Sequence, residues 1–183
     1  MVIAITGTPG TGKTSVCTAL GLEYIDINKL IADKKFYTGI DAERGSFIAD
    51  LDMLNEYLLL LQREKTLLVI ESHLAHLLNP EVAIVLRANP SILAARLMQR
   101  GFSARKIAEN VEAETLDVIL IEAVELCTVV YEVDTSEKSI AEIAAVVRAI
   151  IDAEIGGALR SKKTLRDRYK PGSVDWTCLD YSV

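Results

Sequence analysis

The stretch GTPGTGKT, residues 7–14, follows a short apolar run at 2–5 and precedes a segment with helical spacing. It fits the pattern G-x-x-x-x-G-K-[S/T], and the order strand, loop, helix is the context that gives this pattern its physical meaning. Glycines at 7, 10 and 12 let the backbone turn successive N–H groups toward an anion, and the next helix adds its positive N-terminal end. Gly7, Pro9, Gly10, Thr11, Gly12, Lys13, Thr14 and Ser15 are therefore expected to line a bound polyphosphate. Lys13 would neutralise the β- and γ-phosphates of ATP, and the Thr14 hydroxyl would ligate the accompanying Mg²⁺.

Outward from this loop, β-rich apolar runs recur at 2–5, 24–27, 67–70, 82–86 and 129–133. Helical spacing occupies 13–20, 48–63, 91–100, 104–126 and 139–155. Such alternation predicts a five-stranded parallel sheet with helices on both faces, an α/β fold of the P-loop NTPase class. Gly21, Gly101 and the pair Gly156–Gly157 mark helix ends, while Ser91 and Ser139 mark starts. A chain of 183 residues fits one domain.

Bulk properties narrow the function class. Half of the residues are apolar and a quarter are charged, which is ordinary globular composition. No apolar stretch approaches the roughly 18–20 residues that span a bilayer. The first ten residues lack a basic leader, so they read as a strand and not as a signal peptide, and no membrane partner is expected. Cys17, Cys127 and Cys178 are widely spaced with no CxxC pair, which suits reduced thiols in a cytoplasmic protein. The net charge of −6 argues against a general grip on nucleic acid. From Arg160 onward, however, six basic residues face three acidic ones.

The run TLLVIESHLAHLL, residues 66–78, holds both histidines of the chain just after a strand that ends at Glu71. In open parallel sheets ligands lie outside the carboxyl ends of the strands, so Glu71 would face the same phosphates as the glycine loop. A carboxylate there is suited to hold Mg²⁺ through its water shell. His73 would reach the γ-phosphate region, to orient an attacking water or accept a proton near neutral pH, whereas His76 reads as a hydrogen-bonded loop histidine.

These residues resemble the adenylate kinase isoenzyme 6 group, small P-loop proteins described both as adenylate kinases and as ATPases of small-ribosomal-subunit maturation. The landmarks are ITGTPGTGKTS, YIDINKL, DAERGSFIADLD, ESH, VLRANPSILAARLMQRGF and KIAENVEAE, and they cover about residues 1–153. That family usually has Asp-Tyr-His where this chain has Glu71-Ser72-His73. The resemblance implies a nucleoside monophosphate kinase-like domain over 1–155, with a monophosphate-binding segment at 26–63 and a short lid at 100–106. A basic extension, 156–183, lies outside it. The implied reaction moves the γ-phosphoryl of MgATP to AMP, with ATPase activity. A small-subunit ribosomal protein and rRNA are the implied partners.

Residue spacing supports the lid independently. Arg96 and Arg100 lie i, i+4 on one helix face, and Arg105 and Lys106 open the next helix, so four cations surround the hinge. Arg100 would spread the charge of phosphoryl transfer, and Arg96 is placed to stack on adenine. Asp41, Asp50 and Asp52 are expected to border the monophosphate site and hydrogen-bond ribose or base. Ordinary adenylate kinases clamp the AMP phosphate with arginines near the positions of Ala32 and Ala75. Arg44, Lys29, Lys34 or Lys35 would have to substitute. Asn110 and Glu114 match the family, one helical turn apart. In the extension, Lys162, Lys163, Arg166, Arg168 and Lys170 beside Tyr169 and Trp176 suit either RNA binding or a tail that folds Trp176 back onto the acidic body.

Overall fold

Alternate residues of the first strand point to opposite faces, and both faces are buried: Ile3 and Ile5 on one side, Val2 and Ala4 on the other. A strand buried on both faces sits at the centre of a sheet covered by helices, and the computed structural model has that arrangement. It describes residues 1–42 and 45–177.

Five parallel strands form the sheet in the order β2 (Ile25–Asp26), β5 (Leu68–Glu71), β1 (Val2–Thr6), β6 (Val82–Arg87), β7 (Val129–Asp134). The expected α/β class and five-stranded sheet are thus observed. Helices α1 (Lys13–Leu20) and α7 (Ile140–Gly156) cover one face through Val16, Leu20, Ile143, Val147 and Ile150. On the other face α2 (Ile27–Lys34) and α3 (Leu51–Glu64) contribute Ile27, Ile31, Leu54 and Leu58. Helix α4 (Pro90–Gln99) packs on α5 (Ala104–Thr115) through Leu93, Leu97, Phe102 and Ile107, which forms a small separate core where the two helices meet. Among the described residues no helix is long and apolar enough to cross a membrane.

Several elements differ from the sequence expectation, among them α2, where only a strand ending at residue 27 was expected. The helix expected from residue 48 begins at Leu51, because the Asp50 carboxylate accepts the Met53 N–H at 3.0 Å and caps it there. The residues before it form β4 (Ser46–Ala49), which pairs antiparallel with β3 (Tyr37–Asp41) in a hairpin apart from the main sheet, Tyr37 stacking on Phe47 at 4.5 Å. The helix expected over 104–126 is broken at Asp117, whose backbone is left-handed (φ 56°), so α6 (Val118–Leu126) is a separate element. Asp117 leaves the helical path while its carboxylate pairs with buried Arg87. The extension carries α8 (Leu159–Arg168), for which no helix was expected.

This last helix lies back against the body. Arg166 donates two hydrogen bonds to Glu154 of α7, at 2.9 and 3.0 Å, and Trp176 is buried. Tyr169 accepts the Glu132 N–H through its carbonyl at 2.8 Å, so the chain end runs beside β7. Cys178 and the residues after it lie outside the described residues.

Helix α7, which carries much of the main core, starts with a reciprocal cap: Ser139 Oγ accepts the Glu142 N–H while Glu142 accepts the Ser139 N–H. Ser139→Ala is expected to lower unfolding free energy by about 1 kcal/mol. Chemical denaturation checks this, and an unchanged urea midpoint would refute it.

Candidate active site

The parallel register brings the phosphate loop and the end of β5 together, since Ile5 lies opposite Glu71 in the ladder. The loop turns sharply between them. Gly7 has φ 134°, and a methyl at its α-carbon would run into the Leu86 carbonyl oxygen, so no larger residue fits. Gly10 has φ 98° and packs against Leu93 and Leu97 of α4, which ties the loop to the small core between α4 and α5.

Lys13 is 8% exposed and reaches back over the loop, its Nζ donating to the Gly7 carbonyl at 2.8 Å and the Thr8 carbonyl at 3.2 Å. Burial lowers its pKa to about 8, although the carboxylates of Glu71 and Glu114 oppose the shift. Thr14 Oγ1 donates to Glu71 Oε2 at 3.1 Å. Glu71 is 2% exposed, and burial raises its pKa against the opposing effects of Lys13 and Thr14. One hydroxyl and one carboxylate in contact, with an open cleft beside them, fit Mg²⁺, which keeps several waters and takes few protein ligands.

A cleft of about 700 Å³ opens above the loop. It is lined by Pro9, Gly10, Thr11, Gly12, Lys13, Thr14 and Ser15, by Glu71 and His73, and by Arg96 and Arg100 of α4 and its cap. Gly7 sits beneath the loop, with its carbonyl on Lys13. The guanidinium of Arg96 donates to Thr135 Oγ1 at 3.3 Å and to the Thr135 carbonyl at 3.0 Å, which anchors it to the residue just past β7. Arg100 is exposed at the C-terminal cap of α4. Arg105 pairs with Glu109 on its own helix at 3.0 Å, and Lys106 lines a smaller adjoining hollow together with Arg100.

His73 is half-buried, and its pKa is pushed down to about 4 by burial, with the charge of Lys13 and neighbouring His76 adding to the effect. Its ring is therefore neutral at pH 7 and a weak base, which favours orienting a water over removing its proton. His76 lies off the cleft. Its Nδ1 meets Thr6 Oγ1 at 3.0 Å and its Nε2 meets Glu122 at 2.9 Å, so it braces the loop that carries His73.

The expected monophosphate side is less complete. Asp41 ends β3, Asp50 caps α3 and Asp52 lies in the first turn of α3; none of the three lines the cleft. Arg44 lies outside the described residues. Lys34 sits over the Tyr57 ring at 5.9 Å, and Lys35 caps α2 in a left-handed conformation. Among the described residues of 26–63, Asn28 alone reaches the cleft, and no lysine or arginine does. Sequence reasoning missed Asn28, Gln99, Phe102, Thr135, Ile140 and Ile143 as lining residues. Ser72 Oγ donates to Asn28 at 3.3 Å, a contact between the residue just past β5 and α2 that no local pattern announces.

An AAA domain family matches residues 3–117. A Methanosarcina barkeri protein named "Putative adenylate kinase" is 42% identical over 182 residues, which cover 96% of this chain and 97% of that protein. An Archaeoglobus fulgidus protein of the same name is 44% identical over 179 residues, covering 96% and 92%. Among solved structures, shikimate kinase from Acinetobacter baumannii in complex with shikimate superposes with a TM-score of 0.57 at 15% identity, covering 84% of this chain and 93% of that one. Shikimate kinase from Bacteroides thetaiotaomicron gives 0.56 at 15% identity, covering 83% and 98%. At that identity the likeness speaks to the fold alone.

Proposed function

The chain belongs to the AAA domain family and to the family of archaeal proteins named for adenylate kinase, and on that premise we propose that it transfers the γ-phosphoryl of MgATP to AMP. The observation that carries this reading is the convergence of Lys13, Thr14 and Glu71 in a cleft that Arg96 and Arg100 also line. Phosphoryl transfer needs chiefly positioning and charge stabilisation. The loop N–H groups and Lys13 hold the β- and γ-phosphates, and Arg100 faces the charge that spreads over the γ-oxygens. Thr14 and Glu71 would hold Mg²⁺, which when bound neutralises the β- and γ-oxygens. An AMP phosphate oxygen forms the new bond to the γ-phosphorus as the bond to the β–γ bridging oxygen breaks, and ADP leaves on both sides.

A second reading, hydrolysis of ATP, is favoured by a specific feature of the cleft. On the side where an acceptor monophosphate would sit, His73 and Asn28 line the wall and no described lysine or arginine from 26–63 does. A bidentate clamp supplies orientation as well as charge, so a cleft without one would lose transfer to AMP more than ATP binding. Water needs only to be oriented, and neutral His73 suits that role. A part in small-ribosomal-subunit maturation has narrower support: the resemblance, and the exposed cations Arg160, Lys163, Arg168 and Lys170 of the extension.

ADP formation from ATP alone, then with AMP added, separates the two. Transfer predicts that AMP raises turnover at least about tenfold; an unchanged rate would leave hydrolysis as the activity. His73→Ala is expected to lower hydrolysis without acceptor by roughly 10²-fold while ATP affinity stays within about twofold. An unaffected hydrolysis rate would remove His73 from the mechanism.

A further inference from the structure

Glu114 is 2% exposed in the last turn of α5, the helix that begins at the lid, and its carboxylate is fully used. Oε2 accepts the Thr8 hydroxyl at 2.5 Å, and Oε1 accepts Arg87 Nε at 2.8 Å and the Ala88 N–H at 3.0 Å. The Glu114 carbonyl takes a further bond from Arg87 at 3.0 Å. Arg87, at the end of β6, is 1% exposed and also donates to Glu132 of β7 at 2.6 Å and to Asp117. A left-handed backbone at a residue other than glycine is strained and persists where its surroundings demand it; Asp117, at φ 56°, adopts it while holding Arg87.

Thr8 is the point where this network meets the phosphate loop. It is 2% exposed, and while its hydroxyl is held by Glu114, its carbonyl accepts from Lys13 Nζ at 3.2 Å, Thr11 Oγ1 at 2.9 Å and the Thr11 N–H at 3.2 Å. The residue that fixes the resting place of the lysine is itself fixed by a carboxylate 106 positions further along the chain.

We propose that Glu114 is a positioning residue for nucleotide binding: through the Thr8 hydroxyl it sets the shape of the phosphate loop, with Arg87 as its brace. This rests on the reading that the loop binds nucleotide. A lone carboxylate so near a polyphosphate would repel it; Arg87, shared with Asp117 and Glu132, offsets part of that charge and locks the carboxylate in one orientation. The loop amides are then aimed before nucleotide arrives, which is where such groups gain their effect.

The test is a double-substitution cycle on the full chain, read by calorimetric titration with MgATP and by steady-state kinetics. Parent and Lys13→Ala are titrated first; a parent with no affinity for ATP overturns the nucleotide reading itself. With parent binding established, Thr8→Val is expected to weaken ATP binding roughly tenfold, as the loss of one buried charged hydrogen bond does, with the KM for the acceptor unchanged within about twofold. Thr8→Ser, which restores the hydroxyl, should return affinity to within about twofold of the parent. In a Glu114→Gln background Thr8→Val should cost less than about threefold, because the pair acts as a unit. The proposal is overturned if Thr8→Val binds ATP as the parent does, if Thr8→Ser is as weak as Thr8→Val, or if the valine costs the same in both backgrounds. Thr8→Ala takes its place in the cycle should the valine variant not fold.

Discussion

Lys13→Ala leaves no measurable ATP affinity at micromolar protein and lowers turnover by roughly 10²–10³-fold. The loss exceeds that of one surface cation because Lys13 is buried beside the loop and makes its contacts with the Gly7 and Thr8 carbonyls. Without the ammonium those carbonyl oxygens face the polyphosphate uncompensated, and only the loop N–H groups, the α1 N-terminus and the arginines Arg96 and Arg100 supply positive potential to the cleft. The fold should not suffer. Removing a buried lysine whose pKa is lowered to about 8 relieves its own desolvation cost but leaves buried Glu71 without the cation beside it, so the two effects oppose each other and the melting temperature is expected to shift by only a few degrees. Turnover and stability therefore move apart, which separates a lost function from a lost structure. The pH dependence has a definite sign. Bound polyphosphate favours the charged lysine, so ATP affinity of the parent should hold below pH 8 and fall as pH rises past it. Titration calorimetry across about pH 6.5–9.5 checks the affinity, and thermal denaturation of parent and variant checks the stability. A Lys13→Ala protein that binds ATP like the parent would sink the account of the loop.

What was legible in the sequence follows chain distance. The phosphate loop is contiguous, and each of its glycines and its lysine acts within eight residues of the others, so the pattern could be read directly. Glu71 was legible for a different reason: a carboxylate at the end of a fully apolar strand costs too much to desolvate unless a cation lies near it, and Lys13 does. The hairpin β3–β4 was not legible, because Ile40, Phe47 and Ile48 are exposed and so mimic the apolar periodicity of a buried helix start. Asp50 shows the ambiguity of a lone acid, since a helix cap and a ligand group look alike in sequence. The break at Asp117 has no local signal such as glycine or proline. It becomes intelligible only with Arg87, thirty residues earlier, in place.

That same arginine carries the largest stability prediction. Arg87→Ala is expected to cost about 3–5 kcal/mol of unfolding free energy, because it strips the cation from two carboxylates, Glu114 and Glu132, that are 2% and 1% exposed. The penalty comes from what remains, not from the pair itself: each buried carboxylate keeps its desolvation cost and loses the group that answered it. Arg105 provides the contrast within the same protein. Its pairing with Glu109 is between side chains 69% and 37% exposed, where water screens the charges, so Arg105→Ala should cost under about 0.5 kcal/mol. Urea denaturation of the two variants beside the parent checks the difference. Since Glu132 also accepts the Ser173 and Val174 N–H groups, at 2.8 and 3.2 Å, the loss at Arg87 should loosen the chain end as well as the hinge. Faster hydrogen exchange at residues 169–176 in Arg87→Ala, with none in Arg105→Ala, is the expected result. Equal destabilisation by the two variants would mean that the Arg87 cluster is solvated in solution and that burial does not set its energetics.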